Sequence, residues 1–190
     1  IWGGRPPARR GGASYDPGMG EQAWTIERTD GPFGAVVHGV DLAAGLAADL
    51  AARLRAAWLE HQVLVFPGQS LTSEQFVAAA EAFGPIGADP YFVPMVDGSP
   101  VVRLSREADE TSTIFADVMH SDWSFLASPP AGTMLCAVEV PPTGGDTLFA
   151  DQYAAYASLP PELAARIDGL QGVHSARHGY SPRGAYGDRD

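Results

Sequence analysis

The residues whose types and spacing suggest chemistry are His120 and Asp122, which are separated by one residue. In an extended segment, residues i and i+2 point to the same side, so this imidazole and this carboxylate can reach one metal ion together. One further histidine would complete a two-histidine, one-carboxylate face, which suits Fe(II) because it leaves positions open for a cosubstrate and O₂. Such a triplet also occurs in surface loops with a solvated histidine and aspartate, and the triplet alone leaves that interpretation open.

The surroundings of the triplet favour the metal interpretation, because several motifs follow one another in order. These motifs are His120-Ser-Asp122-Trp-Ser-Phe125, Pro129-Pro-Ala-Gly-Thr133, Pro141-Pro-Thr-Gly-Gly-Asp-Thr-Leu-Phe-Ala150 and Ala154-Ala-Tyr156-x-x-Leu159-Pro160. Together they closely resemble the taurine dioxygenase (TauD/TfdA) family of Fe(II)- and 2-oxoglutarate-dependent oxygenases, from about Trp24 to about His178. The resemblance implies hydroxylation of a small, often anionic, substrate coupled to decarboxylation of 2-oxoglutarate.

The resemblance also implies roles for individual residues. It carries the family's iron-binding histidine and aspartate onto His120 and Asp122, which would therefore be the catalytic metal ligands. Thr147 falls where the family uses a threonine hydroxyl against 2-oxoglutarate, and a hydroxyl can donate one hydrogen bond to a carboxylate. The alternative for Thr147 is a β-branched residue that packs within a strand.

Two functional groups of the family have no counterpart in the sequence after Asp122. They are the second metal histidine and the arginine that binds the far carboxylate of 2-oxoglutarate. A bidentate arginine–carboxylate pair contributes strongly to affinity and orientation, so we expect the chain as written to be a poor enzyme by itself. His174 and His178 are candidate substitutes, although Gly172, Gly179 and Pro182 oppose a helix that would place them on one face.

Two other functions therefore remain open at this point. One is a zinc hydrolase that uses His120, Asp122 and either His174 or His178. The other is a truncated, catalytically incompetent family member that acts only with another chain.

The expected substrate belongs to the taurine, sulfonate, sulfate-ester or aryloxy-acid class. Alignment with the taurine enzyme places Asp89 at its sulfonate-binding histidine and Ala116 at an asparagine before the metal histidine. A carboxylate does not favour a sulfonate, so taurine itself is a poor fit. An apolar pocket could be lined by Tyr91, Phe92, Trp123 and Phe125, although aromatic side chains more often pack in a core.

Composition limits the classes of partner. The formal net charge is −11, from 12 basic and 23 acidic residues, and it argues against nucleic acid or an anionic membrane. We expect a small-molecule substrate and a homo-oligomer.

The single cysteine, Cys136, lies in an alternating apolar run that predicts a small core residue. A chain without a disulfide fits a cytoplasmic location.

The resemblance implies a mainly β fold with some α structure. This is the double-stranded β-helix (jelly roll, cupin-like) with N-terminal helices, here incomplete at its C-terminus. Residues 1–18 are rich in Gly, Pro and Arg and predict a disordered tail or upstream extension, with a basic arm as the alternative. Residues 19–190 would then be the N-terminal part of a TauD/TfdA-like dioxygenase domain.

Hydrophobic periodicity and terminus signals predict the individual elements. The predicted helices span about 46–60, a segment from Thr72 to Phe83, about 151–158, and a segment from Pro161 to Gly169. The predicted strands lie within Trp24–Val40 and at Val63–Phe66, Val101–Leu104, Thr133–Val140 and Thr147–Ala150. Residues 105–117 predict a loop beside the metal motif, which could serve as a lid, although a plain solvated loop is the commoner case.

Overall fold

The computed structural model describes residues 24–87, 99–107, 109–111, 116 and 118–176. Proximity of Cα atoms divides the chain into two units. The first unit contains the described residues of Ile1–Pro85 and Leu135–Asp151, and the second contains those of Ile86–Met134 and Gln152–Asp190. The predicted tail, residues 1–18, lies outside the described residues.

A small mixed sheet forms the centre of the first unit. Strand β1 (Thr25–Arg28) pairs antiparallel with β2 (Ala35–His38), and β2 pairs parallel with the short β3 (Leu64–Val65). Strands β1 and β2 confirm the prediction of strands within Trp24–Val40. The strand predicted at Val63–Phe66 is also present, but it consists of Leu64 and Val65 only. Ala35 and Val37 face the core, because alternate residues of a strand point to the same side.

Strands β1 and β2 are joined by a turn that depends on Thr29 and Gly34. The Thr29 hydroxyl donates to the carbonyl of Phe33 at 2.6 Å, and the Thr29 N–H donates to the carbonyl of Gly34 at 3.1 Å. Gly34 has a φ of 95°, and a Cβ there would lie 3.2 Å from the Thr29 hydroxyl oxygen. The turn therefore requires glycine at this position.

Helix α1 (Ala48–His61) supplies much of the core. Ala51, Leu54 and Ala57 are buried on one face, at the three-residue spacing expected of an amphipathic helix. The carbonyl of His61, the last residue of α1, accepts hydrogen bonds from the N–H groups of Gly34 and Val63, both at 2.8 Å. The end of the helix is thereby joined to the segments that enter β2 and β3.

Helix α2 (Ser73–Glu81) begins with the predicted capping box. The Thr72 hydroxyl accepts from the Gln75 N–H at 3.3 Å, and the Gln75 side-chain oxygen accepts from the Thr72 N–H at 2.9 Å. Hydrogen bonds from its own N–H and from the Thr72 side chain hold the pKa of the Glu74 carboxyl below its ordinary value. The cap fixes the start of α2, because it satisfies backbone donors that have no partner within the helix.

The buried residues of the described structure all lie between Trp24 and Ala79. Three of the predicted strands, Val101–Leu104, Thr133–Val140 and Thr147–Ala150, do not form strands in the described residues. Cys136 is exposed, so its prediction as a core residue is wrong, and Val138 is 96% exposed. The physical reason is that no described strand pairs with these segments, and an alternating pattern without a partner strand does not make a sheet.

Two short helices complete the described secondary structure of the second unit. Helix α3 spans Gln152–Ala157, and α4 spans Pro161–Ile167 with proline at its first position. Gly169 follows α4 with a φ of 74°, so the predicted start and end signals are both confirmed. None of the helices in the described part of the chain has the length and apolar character needed to cross a bilayer.

Candidate metal centre

A turn follows the His120–Asp122 segment, whose first two residues belong to no helix, strand or turn. Asp122 opens a turn that continues through Phe125. Trp123 has a φ of 46°, and its carbonyl accepts from the Leu126 N–H at 2.9 Å. The turn therefore begins at the second of the two candidate ligands.

The orientation of the His120 ring is set by a backbone carbonyl. Nδ1 of His120 lies 2.8 Å from the carbonyl oxygen of Val118. A carbonyl can only accept, so we assign the proton to Nδ1, which leaves the lone pair of a neutral ring on Nε2. A hydrogen bond on the far nitrogen is the usual way in which a protein fixes the tautomer of a metal-binding histidine.

The metal-facing atoms of the two side chains lie close together. Nε2 of His120 is 3.1 Å from Oδ1 of Asp122. With the ring in the neutral tautomer, two lone pairs face each other, and only a cation between them makes the contact favourable. That cation is either a proton on the imidazole or a metal ion.

The separation fits a metal ion. Two neighbouring ligands of an octahedral ion, each at about 2.1 Å, are about 3.0 Å apart. The side chains of His120 and Asp122 are 47% and 40% exposed, so an ion could reach them from solvent. Imidazole and carboxylate are two of the donor types of the Fe(II) facial triad, and the pair therefore fits that group.

The other carboxylate oxygen of Asp122 has a partner that the sequence did not predict. The Thr133 hydroxyl donates to Oδ2 at 2.7 Å. Thr133 belongs to the Pro-Pro-Ala-Gly-Thr motif, which supported the family resemblance without a role of its own. No spacing rule identifies such a partner, because the two residues are 11 positions apart on either side of an irregular loop.

His174 takes part in a hydrogen bond rather than in a ligand set. Its Nδ1 lies 2.8 Å from the hydroxyl oxygen of Ser124. Across the described ranges, no group of three histidine, cysteine or acidic side chains is placed to hold a metal ion. The proposed substitution of His174 for the missing ligand therefore gains no support, and His178 lies outside the described residues.

The remaining predicted site residues fall in different parts of the chain. Thr147 belongs to the first unit and is exposed, whereas His120 and Asp122 belong to the second. Phe125 is half-buried in the turn that follows the metal motif, and Ala116 is half-buried with a φ of 58°. The candidate substrate residues Asp89, Tyr91 and Phe92 lie outside the described residues.

Comparison with known proteins decides the family. The model of the "Taurine catabolism dioxygenase TauD, TfdA family" matches residues 25–189. The chain belongs to this family. Membership confirms the resemblance that the motifs around His120 indicated.

Several relatives of this TauD/TfdA family member have names that state a substrate. A (S)-phenoxypropionate/alpha-ketoglutarate-dioxygenase of Sphingobium herbicidovorans is 38% identical, over 85% of this chain and 57% of the relative. An alpha-ketoglutarate-dependent 2,4-dichlorophenoxyacetate dioxygenase of Cupriavidus pinatubonensis is 35% identical, over 76% and 55%. An alpha-ketoglutarate-dependent sulfate ester dioxygenase of Pseudomonas putida is 33% identical, over 80% and 49%. The chain thus spans about half the length of these relatives.

The chain is also similar in fold to a solved structure. The crystal structure of a taurine dioxygenase from Burkholderia xenovorans superimposes with a TM-score of 0.62 and 34% sequence identity, over 78% of this chain and 52% of that chain. The family member described here therefore shares the fold of that dioxygenase over the matched residues.

Proposed function

We propose that this chain supplies the metal-binding part of an Fe(II)- and 2-oxoglutarate-dependent dioxygenase. The observation that carries the proposal is the 3.1 Å approach of His120 Nε2 to Asp122 Oδ1 within a chain of the TauD/TfdA family. The three relatives named above are all dioxygenases that depend on alpha-ketoglutarate, which is 2-oxoglutarate.

In this proposal, His120 and Asp122 hold the iron. When bound, Fe(II) with 2-oxoglutarate supplies the oxidising chemistry, in which O₂ is consumed, the keto acid loses CO₂ and the substrate is hydroxylated. His120 enters with its lone pair already on Nε2, because Val118 holds the Nδ1 proton. The two side chains would supply one histidine and the carboxylate of a two-histidine, one-carboxylate face, and a second histidine would be needed to complete it.

We assign Thr147 to the cosubstrate by family membership. Its hydroxyl can donate one hydrogen bond to a carboxylate of 2-oxoglutarate. Gly144 and Gly145, which precede it, have φ values of 80° and 73°, a conformation that favours glycine.

The proposed substrate is a small organic anion of the aryloxyalkanoate, sulfate-ester or sulfonate class. The named relatives act on phenoxypropionate, dichlorophenoxyacetate and sulfate esters, which share an anionic group on an apolar body. Phe125, next to the metal motif and half-buried, is suited to the apolar body. Asp89, Tyr91, Phe92 and Ala116 remain candidates for specificity on the basis of the sequence alone.

At the level of architecture, we propose that the chain contributes to a double-stranded β-helix in a homo-oligomeric enzyme. Family membership and the taurine dioxygenase superposition support a cupin-like fold. Nothing in the described residues favours the zinc hydrolase, since His174 bonds to Ser124. The alternative, in which the chain acts only with another chain, is tested by measuring turnover of residues 1–190 alone.

The test is metal binding under anaerobic conditions, by titration with Fe(II) and by the weak visible absorption of an Fe(II)–2-oxoglutarate complex. His120→Ala and Asp122→Ala should each abolish the absorption and weaken Fe(II) binding at least tenfold or so, because each removes a ligand. His174→Ala is the matched control, since it removes a histidine of the same unit that bonds to Ser124, and it should retain binding. Unchanged binding by Asp122→Ala would refute the assignment.

Turnover is measured separately, as succinate formation from 2-oxoglutarate with Fe(II), O₂ and a panel of aryloxyalkanoates, sulfate esters and sulfonates. We expect residues 1–190 alone to show no substrate-stimulated succinate. Stimulated turnover by this chain alone would contradict the expectation, and would mean that His178 or a second copy completes the site.

A further inference from the structure

The two oxygens of the Asp122 carboxylate have different partners. Oδ1 lies 3.1 Å from His120 Nε2, whereas Oδ2 accepts a 2.7 Å hydrogen bond from the Thr133 hydroxyl. The carboxylate is thereby divided into one oxygen that faces the candidate metal position and one that faces the protein.

The loop between Asp122 and Thr133 returns the chain to Asp122. The turn closed by the Leu126 N–H and the Trp123 carbonyl begins the return. Pro129 and Pro130 then restrict the backbone, because a proline ring fixes φ near −65° and reduces the conformational entropy that folding must remove. The motif ends on Thr133, whose side chain makes the contact.

The contact has the geometry of a charge-assisted hydrogen bond. An O–H···O⁻ bond is about 2.5–2.7 Å long and roughly twice as strong as a bond between neutral groups. A hydroxyl has one proton to donate, and here it is given to Oδ2. Rotation of the carboxylate about its Cβ–Cγ bond would break this bond, so the bond selects the orientation in which Oδ1 points toward His120.

A free carboxylate can bind an ion through one oxygen or through both. Binding through both would occupy an additional coordination position. An ion that must also accept 2-oxoglutarate and O₂ cannot lose that position without loss of function. A group that occupies Oδ2 therefore protects an open coordination position.

We propose that Thr133 is a positioning residue whose hydroxyl reserves Oδ2 of Asp122, so that only Oδ1 binds the metal ion. The proposal rests on the function proposed above. It assigns a role to the Pro-Pro-Ala-Gly-Thr motif, and it requires the hydroxyl of residue 133 rather than its methyl group.

The experiment compares Thr133→Val, which keeps the shape and removes the hydroxyl, with Thr133→Ser, which keeps the hydroxyl. Thr143→Val is the control, because it makes the same chemical change at an exposed position of the first unit. Co(II) is titrated into each protein anaerobically, and its affinity and visible absorption are recorded. Removal of a group that orients a metal ligand typically costs 10- to 100-fold in metal affinity.

We expect Thr133→Val to weaken Co(II) binding about tenfold, at the lower end of that range because the contact is exposed. Thr133→Ser and Thr143→Val should remain within about twofold of the parent protein. The Co(II) absorption of Thr133→Val should also differ from that of the parent protein, because binding through both oxygens changes the arrangement of ligands around the ion. Far-UV circular dichroism checks that each variant is folded, and Thr133→Ala replaces Thr133→Val if the latter does not fold.

The outcomes separate this proposal from the one on which it rests. If the parent protein binds no metal, or if Asp122→Ala binds as well as the parent, the proposed function fails. If the parent binds, Asp122→Ala does not, and Thr133→Val matches the parent in affinity and spectrum, the role of Thr133 alone is overturned. A loss in Thr133→Ser as large as that in Thr133→Val would also overturn it, because serine keeps the hydroxyl on which the role depends.

Discussion

Replacing Leu54 by alanine tests the assignment of the core to the N-terminal part of the chain. The Leu54 side chain is 0% exposed on α1, so none of its surface is left in water. The substitution removes three carbons, and at about 0.8 kcal/mol each their transfer contributes about 2.4 kcal/mol. The cavity that remains adds to this, and buried Leu→Ala changes typically cost about 2.7–5.0 kcal/mol in total. We expect a loss of about 3–4 kcal/mol in the free energy of unfolding.

The control lies on the same helix. Leu59 is 69% exposed, and Leu59→Ala should change the free energy of unfolding by less than about 0.5 kcal/mol. Urea unfolding followed by tryptophan fluorescence measures both variants, with the buried Trp24 as a reporter in the same unit. The urea dependence should remain unchanged, so that the midpoint alone shifts. Equal losses in the two variants, or a loss below about 1 kcal/mol for Leu54→Ala, would refute the assignment of the core.

Three further predictions concern parts of the chain away from the metal motif. Thr72→Ala should cost about 1 kcal/mol in urea unfolding, because it removes the hydroxyl that caps α2, and Thr72→Ser should restore most of the loss. Since hydrogen bonds lower the pKa of Glu74, its charge stabilises the fold above the ordinary carboxyl pKa. That stabilisation is lost as the pH falls through the lowered value. Glu74→Gln should therefore flatten the fall of the urea midpoint on acidification, and an unchanged profile would contradict this. Deletion of residues 1–18 should leave the thermal midpoint unchanged, and a clear drop would show that the segment packs.

The helices were predictable because their signals are local. The capping box at Thr72 and Gln75 predicted the start of α2, and Pro161 with Gly169 predicted the bounds of α4. Such signals act through hydrogen bonds and backbone preferences within a few residues. These signals therefore predict the ends of a helix without information about how the rest of the chain folds.

The strands were predictable only where a partner strand is present. Strands β1 and β2 are joined by a short turn, so each supplies the other with hydrogen bonds. Thr133–Val140 has the same alternation of apolar residues, yet it forms no strand in the described structure. An alternating pattern shows that a segment can lie half-buried in a sheet, and it carries no information about the partner.

The pairing of His120 with Asp122 was predicted from the sequence, whereas the turn that follows and the contact with Thr133 were not. The spacing of His120 and Asp122 and the motifs around them identified the pair, and the 3.1 Å contact agrees with that pairing. The turn that begins at Asp122 was not predicted. Thr133 could not be predicted, because its contact with Asp122 depends on the path of a loop and not on a regular repeat.

The position of the buried residues along the chain has a consequence for synthesis. They lie between Trp24 and Ala79, and His120 follows roughly 40 residues later. At a synthesis rate of about 5–20 residues per second, these residues emerge about 2–8 s before His120. The sheet and α1 can therefore pack while the metal motif is still being made. Damage to the core should then lower the yield of folded nascent chain, whereas damage at His120 or Asp122 should leave that yield unchanged.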